Sequence, residues 1–266
     1  MKAVISSTYD PKYLYFIPIT TYCWNRIGVD VVCFIPKLTA NSDDNRRIDL
    51  LLHTIRDNGL NIKLHEFEAN DNKRVTYSQC SRLYGACLDL PEDEILVSAD
   101  VDMANFQVPP FKEQGFTVFG SDLVPNDQYP ICYVSGSVKT WREAFSLKGK
   151  TYQQSLDELL GDIECENMRG NFWAKDQEEL CLKVKPTDPT LVKRTNGITP
   201  FATRRIDRDD SFWEERLNLD VIDAHLWRDG FTDDNFAKIM KLLKYFYPYD
   251  DFKWLVDYTE KFKQLL

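Results

Sequence analysis

Two aspartates separated by one residue follow an apolar run that is typical of a buried β-strand. The run occupies residues 95–99 (ILVSA) and leads directly into Asp100-Val101-Asp102. Because side chains at positions i and i+2 of extended backbone point to the same side, both carboxylates can reach one point. Mg²⁺ and Mn²⁺ prefer oxygen ligands and commonly combine one or two carboxylates with the phosphates of a substrate. The spacing therefore predicts a divalent-metal site, with a solvated turn as the alternative interpretation.

Alternating strand-like and helix-like segments lead up to this acidic pair. Apolar and β-branched residues concentrate in four short runs, at residues 3–7, 29–35, 61–67 and 94–99. Between these runs, apolar residues recur with helical spacing at residues 11–24, 41–58 and 76–88. The alternation predicts an α/β fold with a mostly parallel central sheet flanked by helices. Ligands of such sheets bind beyond the carboxyl ends of the strands, which is where the acidic pair stands.

Three local signals indicate where helices begin or break. Asp10 and Pro11 offer an N-cap followed by proline at the first helical position. Pro18 predicts a kink in that helix or a shifted start, because proline disrupts a helix interior. Thr76 and Gln79 have the spacing of a capping box, which predicts the start of the helix that precedes the acidic pair.

The pattern changes after the acidic pair. Strand-like runs stand at residues 116–120 and 131–135, and short helical patterns at residues 140–147 and 152–160. A polar segment broken by prolines then covers residues 185–210. We interpret the arginines in and near this segment as a lid or an acceptor-binding surface, with a solvated charged loop as the alternative. They are Arg194, Arg204, Arg205 and Arg208.

Apolar residues with helical spacing recur between residues 236 and 246. Lys238, Lys241 and Lys244 stand between them. This pattern favours a docked C-terminal helix, and peripheral contact with a membrane through an interfacial helix is the alternative.

Composition excludes several classes of function. The chain has 266 residues, with 33 Lys and Arg against 42 Asp and Glu, which gives a net charge of −9. Because nucleic-acid binding needs a basic face, we expect no nucleic-acid partner. The seven cysteines include no CxxC pair, which argues against zinc ribbons and redox motifs and favours buried thiols in a reducing compartment.

Several well-known motifs are absent from the sequence. It contains no GxxxxGKS/T, no GxGxxG after the first strand, no HExxH and no GxSxG, which argues against P-loop and Rossmann enzymes and common hydrolases. We find neither a charged leader followed by an apolar run nor a stretch of ~18 uninterrupted apolar residues. We therefore expect a cytoplasmic protein without a transmembrane segment.

Five short segments of the chain stand in a fixed order. They are SSTYDPKY at 6–13, YSQCSRLY at 77–84 leading into EILVSADVDM, YVSGSVKTWREAF at 133–145, Lys175-Asp176-Gln177, and Ala224-His225-Leu226-Trp227. In this order the segments resemble the sugar-nucleotide site of GT-A fold glycosyltransferases, and in particular the group that contains glycogenin and the bacterial lipopolysaccharide galactosyltransferases. The resemblance spans residues 2–228. The sequence departs from the group at Val134, where asparagine is usual, and after His225, where glycine, lysine and proline are usual.

The resemblance implies a metal centre and a pair of residues at the reacting sugar. Asp100, Asp102 and His225 would hold Mn²⁺ or Mg²⁺, with a structural histidine as the alternative at His225. Asp176 and Gln177 would act at the reacting sugar. The alternative for Asp176 is a structural role, as the N-cap of the following helix.

The resemblance also implies which residues contact the nucleotide sugar. These are Ser6, Ser7, Thr8, Tyr9, Asp10, Tyr13, Arg82, Asp100, Val101, Ser135 and Gly136. The alternatives are a core aromatic residue at Tyr13 and a helix-surface arginine at Arg82.

The activity implied by the resemblance is a metal-dependent glycosyl transfer. A sugar would move from a nucleoside-diphosphate sugar, with UDP-sugar favoured, to a hydroxyl acceptor such as a glycan. We expect a single GT-A catalytic domain at residues 1–232 and a helical appendage at residues 233–266. The domain would comprise a nucleotide-binding half (1–103) and an acceptor-side half (104–232). The alternatives are a sugar-nucleotide nucleotidyltransferase and a non-catalytic carbohydrate- or nucleotide-binding protein on the same fold.

Overall fold

Strands and helices alternate through the first hundred residues of the chain. The computed structural model describes residues 1–37, 42–70, 72–108, 111–112, 114–161, 173–193, 205–217 and 221–266. Its strands are β1 (Lys2–Ser6), β2 (Asp30–Pro36), β3 (Ile62–Phe67), β4 (Ile95–Ser98), β5 (Met103–Asn105), β6 (Thr117–Phe119), β7 (Val134–Ser137), β8 (Thr190–Val192), β9 (Arg205–Ile206) and β10 (Asp223–His225). Its helices are α1 (Pro11–Leu14), α2 (Ile17–Arg26), α3 (Ser42–Asp57), α4 (Arg74–Ser81), α5 (Val138–Ala144), α6 (Tyr152–Leu160), α7 (Lys175–Val184), α8 (Trp213–Arg216), α9 (Asp233–Phe246) and α10 (Trp254–Lys263).

The main sheet has seven strands in the order β3-β2-β1-β4-β7-β6-β8. Strands β1 to β4 pair in parallel with one another, whereas β7 runs antiparallel to β4 and β6. The predicted α/β fold with a mostly parallel central sheet is therefore confirmed. Because β1 and β4 are parallel neighbours, the loops that follow them emerge at the same edge of the sheet.

Helices cover both faces of the main sheet. Alternate residues of β2 belong to two different buried clusters, with Val31 and Cys33 in one and Val32 and Phe34 in the other. Helices α2, α3, α9 and α10 contribute to the first cluster, and α4 to α7 contribute to the second. The result is a three-layer arrangement in which the parallel strands are buried on both sides.

A second, three-stranded sheet follows directly after the acidic pair, in the order β5-β10-β9. Strands β5 and β10 are antiparallel, with Met103 opposite His225. The amide of Leu226 also donates to the carbonyl of Asp102 at 2.8 Å. This small sheet therefore places His225 beside Asp102, although the two residues are far apart in the sequence.

A buried ion pair fastens β9 to β10 in the small sheet. Arg205 Nε and Nη2 donate to the two carboxylate oxygens of Asp223 at 2.9 and 2.7 Å. The hydroxyl of Tyr133 donates to the same carboxylate at 2.6 Å, and the amide of Asn105 donates to that hydroxyl at 2.8 Å. The guanidinium of Arg205 also lies 5.4 Å from the centre of the Tyr133 ring. All three strands of the small sheet are thus tied to the segment before β7.

The first two helix signals in the sequence are confirmed, and the third is wrong. The Asp10 side chain accepts from the amide of Lys12, α1 ends at Leu14, and α2 begins at Ile17 with Pro18 in its first turn. Thr76, however, lies inside α4, which begins at Arg74 without a side-chain cap. The helix starts two residues before the expected cap, so Thr76 is a buried helical residue instead. A capping box forms instead at the start of α6, between the N-cap residue Thr151 and Gln154.

The C-terminal helices α9 and α10 pack into the core of the main sheet. Leu242, Leu243 and Phe262 are fully buried in the same cluster as Tyr15 and Phe16. The three lysines of α9 lie over aromatic rings, which are Trp227 for Lys238, Trp213 for Lys241 and Tyr249 for Lys244. The apolar face of α9 is therefore covered by the protein's own core. None of the helices within the described ranges is long and apolar enough to cross a membrane.

Candidate functional site

A cleft of about 290 Å³ lies beyond the carboxyl ends of β1 and β4. It is lined by Ser6, Ser7, Thr8, Tyr13, Val75, Ser78, Gln79, Arg82, Asp100, Val101, Asp102, Trp173, Asp176, Gln177, Arg208, His225 and Arg228. Most of the residues predicted from the sequence therefore share one cavity. Its position agrees with the rule that open α/β sheets bind ligands at the carboxyl ends of their strands.

Four of the predicted contact residues do not line this cleft. Tyr9 is buried, and its hydroxyl donates to the carbonyl of Pro36. Asp10 caps α1. Ser135 and Gly136 lie within β7, opposite Val97 and Leu96 of β4. Contacts of these four residues with a nucleotide sugar stay a prediction.

Gly136 has a packing role that is independent of any ligand. A Cβ atom at this position would stand 2.9 Å from the Phe116 ring, which is closer than side chains normally approach. The absence of a side chain at residue 136 is therefore required by the contact between β7 and this aromatic residue.

Arg82 joins the end of β4 to the start of α7. The residue follows α4 and is 7% exposed. One guanidinium nitrogen donates to the carbonyl of Ala99 at 3.1 Å and to the carboxylate of Asp100, and the other donates to Asp176 Oδ2 at 3.0 Å. The alternative of a surface arginine is thus wrong, because the side chain is enclosed by the acids it pairs with.

The surroundings of Asp100 and Asp176 shift their pKa values in opposite directions. Burial acts to raise the pKa of Asp100, but the charges of Arg82 and His225 outweigh it and hold that pKa below its usual range. Burial raises the pKa of Asp176, and Arg82 only partly offsets this effect. Asp100 is therefore the more firmly ionised of the two carboxyl groups that share Arg82.

Asp102 is buried at the bottom of the cleft, with 5% of its surface exposed. Its Oδ2 atom lies 3.4 Å from Nε2 of His225 and accepts a hydrogen bond from Nη2 of Arg208 at 2.9 Å. Burial and the neighbouring charge of Asp100 raise the pKa of Asp102, against the opposing effects of His225 and Arg208. The carboxylate therefore depends on nearby cations to remain charged.

His225 has an acidic neighbour on each side of its ring. Nε2 faces Asp102, and Nδ1 lies 3.5 Å from Oδ1 of Asp207. Nε of Arg208 also contacts Nδ1, at 3.4 Å. A carboxylate at Nδ1 is the arrangement that commonly orients a metal-binding histidine.

The donor atoms of Asp102 and His225 suit a divalent cation in kind and in spacing. Their separation of 3.4 Å is close to the ~3 Å between adjacent ligands of an octahedral ion that binds each at ~2.1 Å. Among the described residues, however, no three His, Cys, Asp and Glu side chains converge on one metal position. Arg82 and Arg208 pair with the carboxylates of Asp100 and Asp102. The pair of Asp102 and His225 therefore fits a divalent cation, whereas the structure does not bring all three predicted ligands, Asp100, Asp102 and His225, to one metal position.

Asp176 does not cap α7. The helix begins at Lys175, with Ala174 in the N-cap position and no side-chain cap. Asp176 is 2% exposed, and its two oxygens accept from the amide of Gln177 at 2.9 Å and from Arg82. The structural alternative of an N-cap is therefore wrong, since the carboxylate lies within the first turn and is paired with Arg82.

The sequence did not single out Trp173 and Arg228, which line the cleft, or Asp207, which lies behind His225. Trp173 has 52% of its surface exposed, Arg228 stands three residues after His225, and Asp207 contacts the His225 ring. Nothing in the local pattern distinguishes them from ordinary loop residues. Of the arginines interpreted as a lid or acceptor surface, Arg208 lines the cleft and Arg205 is in the buried pair of the small sheet. Arg194 and Arg204 lie outside the described residues.

The chain is similar to solved structures of glycosyltransferases. No protein-family model matches the sequence, and no curated protein matches it. The galactosyltransferase LgtC, solved with donor and acceptor sugar analogs, is 9% identical with a TM-score of 0.48, over 93% of this chain and 97% of LgtC. An active-site mutant of LgtC gives the same identity and TM-score, over 92% and 95% of the two chains. The glycosyltransferase GlyE of Streptococcus pneumoniae is 12% identical with a TM-score of 0.46, over 84% of this chain and 54% of GlyE.

Proposed function

We propose that this chain is a metal-dependent glycosyltransferase of the GT-A type. It would transfer a sugar from a nucleoside-diphosphate sugar, with UDP-sugar favoured, to a hydroxyl group of an acceptor such as a glycan. The observation that carries the proposal is a single cleft in which Asp102 and His225 approach within 3.4 Å of each other, beside the buried pair of Arg82 and Asp176. This combination offers a diphosphate site next to a site for the reacting sugar.

The nucleotide would lie against the loop that follows β1. Ser6, Ser7 and Thr8 line the cleft there and can offer hydroxyl and backbone groups to the base and ribose. Tyr13 is partly buried, and burial together with the charge of Asp102 raises its pKa. Its phenol is therefore neutral at physiological pH and can pack against a base.

Asp102 and His225 would hold the divalent cation, with Asp100 reaching the cation or the sugar. When bound, Mn²⁺ or Mg²⁺ would supply Lewis-acid stabilisation of the departing diphosphate. The carboxylates of Asp100 and Asp102 would supply anionic oxygens to the cation at the point where the diphosphate must lie. In this arrangement the small sheet fixes the position of His225, and β4 fixes the position of the two acids.

Asp176 and Gln177 would face the reacting sugar from the start of α7. The bond from the anomeric carbon to the diphosphate oxygen breaks, a bond to the acceptor oxygen forms, and the acceptor hydroxyl loses its proton. Arg82 keeps Asp176 in a fixed orientation through Oδ2. A carboxylate held there can stabilise positive charge on the sugar, act as a nucleophile or take the acceptor proton.

The acceptor would enter past Trp173 at the mouth of the cleft. About half of this indole is exposed, and it lines the same cavity as Asp176 and Gln177. An exposed aromatic face beside convergent polar groups is the usual composition of a surface that orients a small polar ligand.

The decisive experiment is a screen for UDP release from a panel of UDP-sugars, with Mn²⁺, Mg²⁺ or EDTA present. We expect at least one sugar to be cleaved with a divalent cation and none with EDTA.

The same assay compares the variant Asp102→Asn with a matched control, Asp93→Asn. The control removes the same charge from an exposed position before β4, at the opposite end of that strand. Cleavage of no sugar would contradict the proposal, and so would formation of UTP from a UDP-sugar and pyrophosphate, since that is the nucleotidyltransferase reaction.

A further inference from the structure

Arg208 contacts both residues that would bind the metal. Its Nη2 donates to Oδ2 of Asp102 at 2.9 Å, and its Nε donates to Nδ1 of His225 at 3.4 Å. The side chain is only 12% exposed, so this guanidinium is enclosed with its partners. A single flexible side chain therefore bridges the two candidate ligands.

Each of these contacts competes with a bound divalent cation for an atom of the proposed site. A cation coordinated by Oδ2 of Asp102 would stand where the guanidinium now donates, and two positive charges would share one oxygen. An Nδ1 atom that accepts from Arg208 leaves Nε2 to carry the ring hydrogen, whereas coordination through Nε2 uses the lone pair of that atom. Asp207 lies 3.5 Å from Nδ1 and can accept the ring hydrogen once Arg208 has moved away.

We propose that Arg208 is a tethered competitor of the metal, which neutralises Asp102 in the metal-free protein and leaves it when a divalent cation binds. This inference rests on the proposed metal site of the glycosyltransferase. The released guanidinium still lines the cleft, where the phosphates of a nucleoside diphosphate would offer it a new partner. Metal alone must displace Arg208 without that compensation, so the metal and the nucleotide should bind strongly only together.

The test is the affinity of the metal-free protein for Mn²⁺ alone, measured by calorimetry without any nucleotide. We expect Arg208→Gln to bind Mn²⁺ about tenfold or more tightly than the wild type, because the competing cation is gone. We also expect the gain in UDP affinity on adding Mn²⁺ to be smaller in this variant than in the wild type. Arg208→Lys keeps a positive charge but loses the forked geometry, and its Mn²⁺ affinity should fall between the two.

Arg228→Gln is the matched control for this experiment. Arg228 lines the same cleft, so its removal lowers the positive charge of the cavity equally, but its side chain is not among the contacts of Asp102 and His225. Equal Mn²⁺ affinities in Arg208→Gln and Arg228→Gln would overturn the proposal. If Arg208→Gln does not fold, a Mn²⁺ affinity of Arg208→Lys equal to that of the wild type would also overturn the proposal.

The outcome is separable from that of the UDP-release screen. Tighter Mn²⁺ binding by Arg208→Gln in a protein that cleaves no UDP-sugar would support the competitor and contradict the transferase. UDP release by the wild type, together with a Mn²⁺ affinity of Arg208→Gln equal to that of the wild type, would support the transferase and contradict the competitor. If neither the wild type nor the variants bind Mn²⁺ up to millimolar concentration, with or without UDP, both proposals are wrong.

Discussion

The carboxyl groups of the cleft are buried to different extents, and each is paired with an arginine. Asp102 and Asp176 are almost completely enclosed, whereas the Asp100 side chain is 32% exposed. Burial raises the pKa of the first two, so their ionised forms are less favourable in the fold than in water. The protein thus holds charges that its core would not tolerate without Arg82 and Arg208, which is typical of a site arranged for ligand chemistry.

Asp102→Asn should abolish sugar transfer without lowering the stability of the metal-free protein. The amide cannot supply the anionic oxygen that the cation needs, but it also removes a charge whose burial is only partly offset by its neighbours. Arg208 makes a single hydrogen bond to this side chain, which the amide oxygen can still accept, whereas Arg205 makes two to Asp223. We expect the loss of UDP release at saturating Mn²⁺, and a free energy of unfolding in EDTA that is within ~0.5 kcal/mol of the wild type or above it.

The pH dependence of this stability difference follows from the raised pKa of Asp102. A raised folded-state pKa favours the protonated carboxyl, so any advantage of the asparagine variant should shrink as the pH falls through that pKa. A difference in urea midpoints that grows on acidification would contradict this assignment. Turnover near that of the wild type would refute the role of Asp102 in the metal site.

Asp176→Asn should reduce turnover by a factor of ~10² or more with little change in UDP affinity, since the carboxylate would act in the transition state. The structure removes the main objection to this test, because Asp176 does not cap α7. Glu178→Gln is the matched control, as it neutralises another acid in the first turn of the same helix outside the cleft. Turnover within a factor of ~3 of the wild type would return Asp176 to a structural role.

At the scale of elements, the small sheet β5-β10-β9 determines the geometry of the proposed metal site. Its strands contain only two or three residues each, so they depend on side-chain contacts more than on their ladder of hydrogen bonds. The buried pair of Arg205 and Asp223, joined by Tyr133, provides these contacts. The position of His225 therefore follows from an ion pair outside the cleft.

Asp223→Asn should destabilise the protein by about 3 kcal/mol, because it leaves the Arg205 guanidinium enclosed without its anionic partner. The free energy of unfolding in urea provides the measurement, and Mn²⁺ affinity in the presence of UDP should fall with it. Asp30→Asn is the control, since Asp30 forms an ion pair with Lys2 and its side chain is 44% exposed. This substitution should lower the free energy of unfolding by less than ~1 kcal/mol. Equal losses in the two variants would show that the buried pair does not stabilise the small sheet.

The elements that could be predicted from the sequence are those with long periodic patterns. Helix α3 and strand β2 extend over 16 and 7 residues, and their patterns identify them. Strands β9 and β10 are too short to show a period, so neither the burial of Asp102 nor the pairing of Arg208 could be read from the sequence. The spacing Thr-x-x-Gln occurs both at Thr76 and at Thr151, and only the tertiary fold decides that the second one is the capping box.

At the scale of the whole molecule, residues 233–266 form part of the main core. The ring of Phe262 in α10 is fully buried and lies 5.2 Å from Tyr15 and 5.8 Å from Phe231, between centres. Leu242 and Leu243 of α9 belong to the same cluster. The domain boundary expected at residue 232 stays a prediction, but this packing argues that the segment does not behave as a dispensable appendage.

Phe262→Ala should lower the free energy of unfolding by about 3 kcal/mol or more, because it leaves a cavity between α10 and the first helices. Leu266→Ala is the control, since that side chain is 59% exposed and should cost less than ~0.5 kcal/mol. Thermal and urea unfolding would measure both. Similar losses in the two variants would support an independent appendage instead.

The hydrogen bond between the hydroxyls of Tyr15 and Thr259 joins positions that are 244 residues apart. During synthesis on the ribosome, the aromatic surface of Tyr15 and Phe16 that packs against α10 therefore stays exposed until α10 has been translated. Contacts between residues so far apart in the sequence slow folding, because the chain loses the entropy of closing a long loop before these contacts can stabilise it. The nascent chain thus exposes this aromatic surface while the residues between Phe16 and α10 are translated, and we expect the yield in cell-free translation to rise when a chaperone that shields apolar segments is supplied.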